Sequence, residues 1–393
     1  MKTKNYSGYR SYQYLEAGVD FPGVKLATQI DRVASHRPEV SADQEARAQR
    51  LLTTNTVISL HDHCGVAPAN IEQMHDYRAH GREATGFEGL AISGLDCIFD
   101  GLSPRNYITS QSGWKWSDTI HDLGQRLCDI AHQDMVVRYD KPADIAHARE
   151  NGQIAFLPAL EAVTCIENEV DRLDILYGLG VRCGGIAYQM SNTLGGGGGE
   201  AADGGLTVFG KRAVRRMNQL GMASDIAHAG DRTSMETIKA STKPIFITHV
   251  GARALWDTKR MKPDEIFRAC AERGGVIGIE AAPQTTLTKN HRRHTIESYM
   301  EHFEYIAQLV GIDHVAFGPD TYFGDHVGLG RIHGFTPPPP GTDAIEYVDG
   351  VENPAEAFPN IVRWLVTHGH SDADIAKALG LNILRVLGEI GTR

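Results

Sequence analysis

The sequence predicts a distorted (β/α)8 barrel, and three observations lead there. First, short apolar runs bounded by glycine or polar residues recur from Thr56 onward, the pattern of buried parallel strands. Second, amphipathic stretches alternate with these runs, a rhythm that favours a parallel sheet closed on itself over an open doubly wound one. Third, side chains that bind metals or handle protons stand at the ends of the runs. His61 and His63 close residues 57–60, Glu161 closes 154–160, His228 follows 222–227, His249 follows 244–248 and Asp320 follows 314–319. A barrel brings every carboxyl strand end to one rim, where residues remote in sequence meet.

Residues 1–50 precede the first strand as an N-terminal extension without strand–helix rhythm, and residues 51–393 carry the barrel. The extension's length and missing core pattern suggest packing against a neighbouring subunit. Residues 42–52 read as a helix leading into the first strand. A second helix over 144–149 stops at Asn151-Gly152, a C-cap signal that releases the chain into the strand at Ile154. Residues 211–220 place Val214, Met217 and Leu220 on one helical face and stop at Gly221. Pro263-Asp264-Glu265 opens another helix, and Gly274-Gly275 turns it into the strand at 276–279. The helix over 298–309 precedes the Asp320 strand. Two segments break the rhythm: 70–116 reads as an insertion over the barrel mouth, and Gly195 to Gly199 are five consecutive glycines. That run is no phosphate loop, because no Gly-Lys-Ser/Thr follows it. It reads as a flexible surface loop, with a mobile lid beside the site as the alternative. The prolines at 337–340 form a rigid connector.

With 41% apolar and 22% charged residues, the 393-residue chain has ample core. Its net charge of −10 argues against nucleic acid, which needs a basic footprint. No apolar run is long enough to span a bilayer, and the polar N-terminus leads into no signal-peptide core. A cytoplasmic location without a membrane partner is therefore expected. The six cysteines are scattered, with no Cys-x-x-Cys pair, and read as buried thiols. Cys64 and Cys165 lie nearest the metal-binding candidates in sequence, but His and Glu already fill the ligand positions.

Alternate side chains of a strand share a direction, so His61 and His63 face one way and Asp62 the other. Two imidazoles at that spacing can grip one cation, and His228 with His249 can hold a second. Glu161 has two oxygens and can reach both ions. Nitrogen and carboxylate ligands of this kind suit Zn2+ first, with Mn2+, Fe2+ or Co2+ as alternatives. Water held between two such cations ionises near neutral pH, and Asp320 is placed to take its proton and pass it to a leaving group.

Several stretches resemble the membrane (renal) dipeptidase family of zinc peptidases, within the metal-dependent amidohydrolase superfamily. They are 143–156, 177–182, 203–222, Pro244-Ile245-Phe246-Ile247-Thr248-His249, Phe317-Gly318-Pro319-Asp320 and 380–387. The resemblance covers about residues 50–387. It implies a distorted barrel, a binuclear zinc centre, hydrolysis of a C–N bond in a small substrate, and a homodimer. By position it places His61 on the family's first histidine, Glu161 on the bridging glutamate, His228 and His249 on the second metal's ligands, and Asp320 on the catalytic aspartate. Arg260 falls on an arginine that binds the substrate's terminal carboxylate in the dipeptidases.

Three departures accompany the match. The first motif reads His61-Asp62-His63 where the family has His-x-Asp, so a neutral imidazole replaces a carboxylate. Gln189 stands where the dipeptidases carry a histidine that polarises the scissile carbonyl. It can donate a hydrogen bond to an oxyanion but carries no charge. Leu194 and the glycine run replace the Pro-Trp that usually follows the Asn192-Thr193 pair, so contacts of Gln189 and Asn192 with substrate must differ from the family's. These departures set an amidohydrolase of non-peptide amides, N-acyl amino acids or carbamates beside the dipeptidase reading. A metal-binding protein without catalysis would be marked by loss of a ligand or of Asp320, and neither is lost.

Overall fold

The computed structural model describes residues 4–102, 114–282, 285–333 and 346–391; the proline connector at 337–340 lies outside the described residues. Eight parallel strands follow one another around the sheet in chain order: β1 (Ile58–Asp62), β2 (Cys97–Leu102), β3 (Ile154–Leu160), β4 (Cys183–Gly185), β5 (Ala223–Asp225), β6 (Phe246–Val250), β7 (Val276–Ile279) and β8 (Val315–Phe317). A further strand, Val136–Arg138, pairs with β3 off this path. The first and last strands do not form a ladder. Just beyond their ends, Asp320 N–H donates to His61 O (2.9 Å), His63 N–H to Thr321 O (2.9 Å) and Phe323 N–H to His63 O (3.2 Å). These bonds close the barrel at its mouth, which gives the predicted distorted (β/α)8 architecture.

The strands are buried on both faces, as a filled barrel wrapped by helices requires. Ile58, Leu60, Phe99, Ala155, Leu157 and Phe246 belong to one apolar cluster. Their neighbours Val57, Ile98, Ile154, Phe156 and Ile247 belong to a second, shared with the helices. The period-two alternation of the strands thus divides interior from wrapping. The expected helices form as α1 (Ala42–Thr54), α2 (Ala143–Glu150), α3 (Val208–Leu220), α5 (Asp264–Glu272) and α6 (Ile296–Val310), with α4 (Asp231–Ala240) between α3 and α5. Ser41 and Gln44 start α1 with a reciprocal capping box, and Gly221 ends α3 in the left-handed conformation at φ 77°.

One expectation is corrected. The stretch 70–116, read as an insertion, contains barrel strand β2. Its apolar run is short because Asp96 and Asp100 are structural: Asp96 pairs with Lys4 (2.9 Å), and Asp100 accepts the Cys64 N–H (2.9 Å). The described part of the extension packs on its own barrel. Asp129 is fully buried and gathers Tyr9 Oη (2.9 Å), Tyr12 N–H (2.8 Å), Thr85 Oγ1 (3.1 Å) and the Ser11 hydroxyl. One carboxylate therefore ties the extension to the helix Trp116–Ile130. Asp129→Ala should leave these buried donors unsatisfied and cost about 2–4 kcal/mol of stability. Urea denaturation of variant and wild type measures the loss, and an unchanged midpoint would show that the extension does not depend on this anchor.

Candidate metal centre

At the end of β1 the strand alternation holds as expected. Asp62 turns away from the mouth and accepts Thr321 N–H and Oγ1 (both 2.9 Å) and the Ser59 hydroxyl. Burial pushes its carboxyl up to about 6, against those hydrogen bonds. His61 and His63 turn inward, and the structure brings them together with Glu161, His228, His249 and Asp320. His63 Nε2 lies 3.1 Å from Asp320 Oδ1 and 3.7 Å from Glu161 Oε1. His228 Nε2 lies 3.2 Å from Glu161 Oε2 and 2.9 Å from His249 Nε2. The two oxygens of Glu161 thus face two different histidines. Glycine makes room for this strand end: a Cβ on Gly185 would sit 1.9 Å from Glu161 O.

Outer hydrogen bonds fix which ring nitrogen faces the centre. Gly101 O can only accept, so His63 Nδ1 at 2.7 Å must donate to it and Nε2 points inward. The Thr248 hydroxyl donates to Asp225 Oδ2 (2.7 Å), which leaves its lone pair for His249 Nδ1–H at 2.9 Å. His249 Nε2 then also presents a lone pair. His61 Nε2 is buried without a hydrogen bond, 3.4 Å from Asp320 Oδ1. Converging lone pairs repel unless a cation lies among them. His61, His63 and Asp320 form one group able to hold an ion, His61, Glu161 and His249 a second, and His249, Glu280 and Asp320 a third. The donor set fits a divalent metal.

The electrostatics agree. Burial, with Arg260 nearby, pushes His228 down to about 4, and burial beside His61 drives His249 well below the usual range. Both are held neutral, the form in which an imidazole can bind a metal. Burial also pulls on His63, but Asp320 and Glu161 override it and raise that imidazole to about 10. His63 sits in the negative field that a cation would neutralise. Burial raises Asp320, yet His249, His61 and His63 hold it well below the carboxylate range. Its backbone is left-handed at φ 57°, sparsely populated outside glycine, and is pinned by the bond to His61 O and by His326 Nδ1 on its carbonyl (2.8 Å).

The remaining candidates ring this cluster. Gln189 Nε2 lies 3.4 Å from His228 Nδ1. Asn192 directs its amide into its own loop: Nδ2 donates to Thr164 Oγ1 and Ile186 O (both 2.9 Å), while Oδ1 accepts Leu194 N–H (2.8 Å) and Gly195 N–H (3.1 Å). The glycine run is not the loose surface loop expected, since Gly195, Gly196 and Gly197 are buried. Gly198 N–H donates to His228 O (2.7 Å) and Gly199 N–H to Gln189 O (2.9 Å). A Cβ on Gly197 would meet the Tyr188 and Gln189 carbonyl oxygens at 2.5 Å. Glycine serves close backbone approach here, strapping the His228 loop to the Gln189 segment.

Arg260 donates through Nη1 to Ala227 O (3.1 Å) and through Nη2 to His249 O (3.1 Å) and to Glu280. Glu280 was missed in the sequence, although it follows β7 directly, as Glu161 follows β3. The same strand-end rule would have found it. Burial pushes its carboxyl up to about 7, with Arg260 opposing. Cys64 and Cys165 are free thiols outside the ligand groups found among the described residues, and burial raises both, Cys165 to about 12.

Residues 45–393 match the family model for membrane dipeptidase, peptidase family M19. Dipeptidase tcpJ of Claviceps purpurea is 27% identical over 288 residues, and dipeptidase aclJ of Aspergillus oryzae 25% over 290. Each alignment covers 70% of this chain and 62% of the relative, so the chain spans about three-fifths of the length of these curated relatives. Among solved structures, an amidohydrolase from Pseudomonas aeruginosa superposes with a TM-score of 0.71 at 26% identity, over 87% of this chain and 98% of its own. A metallo peptidase from Rhodobacter sphaeroides, liganded with a phosphinate mimic of L-Ala-D-Ala, shares the fold with a TM-score of 0.67 at 17% identity, over 86% of this chain and 99% of its own. With the family model spanning the whole barrel and the strand ends converging as they do, the chain belongs to the membrane dipeptidase family, M19.

Proposed function

We propose that the chain hydrolyses an amide C–N bond in a small, dipeptide-like substrate, with two divalent cations, Zn2+ first, held by His61, His63, Glu161, His228 and His249. The carrying observation is Glu161, whose two oxygens face His63 on one side and His228 on the other. Bound there, the metals would polarise the scissile carbonyl and make water acidic enough to attack near neutral pH. Asp320, buried beside both β1 histidines and held ionised, takes the proton of the attacking water and returns it to the leaving nitrogen. Gln189 can donate its amide N–H to the oxygen that gains charge. A homodimer belongs to the same reading, and sedimentation velocity tests it.

A second substrate class is non-peptide amides, N-acyl amino acids or carbamates, and its members without a free carboxylate are favoured by one observation: Arg260 already has a carboxylate partner in Glu280. A screen of L,L- and L,D-dipeptides beside N-acyl amino acids and simple amides, run with metal analysis, separates the classes. No turnover of any amide by metal-loaded protein would remove the hydrolase reading.

His228→Ala and His249→Ala should each lower bound metal, measured by elemental analysis, and abolish turnover. Asp320→Asn should keep its metal and lose about 10^2–10^4 in kcat; full activity in that variant would take Asp320 out of the chemistry. Gln189→His should raise the rate on dipeptides, and an unchanged rate would show that polarisation of the carbonyl is not what the glutamine weakened.

A further inference from the structure

The Arg260–Glu280 pair sits on the rim of the metal centre, and its geometry bears on what the site accepts. A planar guanidinium offers a carboxylate two bidentate edges, Nε–H with one Nη–H or the two Nη–H groups end-on, and the same Nη2 nitrogen belongs to both. Here Nη2 donates one hydrogen to His249 O and the other to Glu280 Oε2. Nη1 gives one of its hydrogens to Ala227 O. Neither bidentate edge is left for a substrate. The charge is compensated as well, since the Glu280 side chain is fully buried and the Arg260 side chain only 15% exposed. An arriving carboxylate would meet an ion pair of zero net charge and would add a second anion beside Glu280. The other Glu280 oxygen, Oε1, is buried, with no hydrogen-bond partner among the described residues. Glu280 also shares a ligand group with His249 and Asp320, so its carboxylate belongs to the rim of the reacting site and not to a remote salt bridge.

We propose that Glu280 acts as a built-in counter-carboxylate, so that the Arg260 subsite takes an uncharged hydrogen-bond donor, such as a carboxamide, in place of a terminal carboxylate. The inference rests on the proposed amide hydrolysis for its substrate sense, but the occupancy of Arg260 stands apart from turnover. Glu280 is a specificity residue here. It neutralises the cation, blocks its fork and leaves Oε1 as the acceptor for a substrate N–H.

The test uses the full zinc-loaded chain, the substrate pair L-alanyl-alanine and L-alanyl-alaninamide, and calorimetric titration with their leaving halves, alanine and alaninamide. Wild type should cleave the amide-terminated substrate with a kcat/KM about tenfold or more above the free acid, and should bind alaninamide more tightly than alanine, the scale of one charge-assisted hydrogen bond. Glu280→Ala frees Nη2 and should reverse both preferences. Glu280→Gln keeps the side-chain shape and should move them in the same direction by less, covering the case in which the alanine variant does not fold. Wild type that prefers L-alanyl-alanine and alanine tenfold would overturn the proposal, as would preferences unmoved in both variants. If loaded wild type cleaves neither substrate while its binding preference is as expected and reverses with Glu280, hydrolysis is refuted and the subsite assignment stands.

Discussion

The site depends on the seam where the barrel closes. The first and last strands do not pair along their lengths; three backbone hydrogen bonds join the segments just past them, and each involves His61 or His63 on one side and residues 320–323 on the other. The bonds that complete the barrel are therefore the bonds that set the β1 histidines against Asp320. Asp320 takes a left-handed backbone there because its N–H must reach His61 O while its side chain turns back toward the imidazoles. Strain of this kind persists only where the surroundings over-determine it, and a closing seam with His326 on the Asp320 carbonyl does so. Fold and chemistry share the same few atoms at this point.

Away from the seam, the candidate ligands are aimed by hydrogen bonds from outside the cluster. Gly101 O sets the tautomer of His63, and the Asp225–Thr248 relay sets that of His249. The His228 loop is held by its carbonyls: Arg260 takes Ala227 O, Lys262 takes Ala229 O, and Gly198 N–H takes His228 O. Burial and Arg260, on the backbone oxygen just before His228, keep that imidazole neutral, the form that binds metal. Asp203 secures the far side of the strap, accepting Thr233 N–H (2.8 Å) and Oγ1 (2.6 Å) at the start of α4 and Gly205 N–H (2.8 Å).

How much of this was legible in the sequence follows from period and burial. β1, β3, β6 and β8 showed themselves because each is an apolar run with its polar residue at the end. β2 did not, because Asp100 and Gly101 lie inside it for structural reasons, and β4 did not, because Cys183-Gly184-Gly185 has no apolar pattern. Of the residues in these ligand groups, the histidines, Glu161 and Asp320 were named, since strand-end position is a one-dimensional signal, and Glu280 at the end of β7 was missed. Partnership is not: that Asn192 bonds its own loop, that Arg260 meets Glu280, and that five glycines pack tightly are facts of contact between segments far apart in sequence. Glycine was the most misleading residue type, because flexibility and close approach have the same composition.

The two departures at the centre are connected through charge. Replacing the family's aspartate by His63 removes one negative charge from the ligand set, while Glu280 places a buried carboxylate on the opposite rim, within the same group as His249 and Asp320. The Glu280 charge is balanced by the Arg260 guanidinium, so in the proposed reading the cations would be left with a less anionic ligand set than His-x-Asp would give. A less neutralised cation is the stronger Lewis acid. In the proposed reading that gain would fall on the same carbonyl that Gln189, lacking a proton's charge, polarises less than a histidine would, so the His63 and Gln189 changes together would move the work of polarisation from the loop after β4 to the metal side.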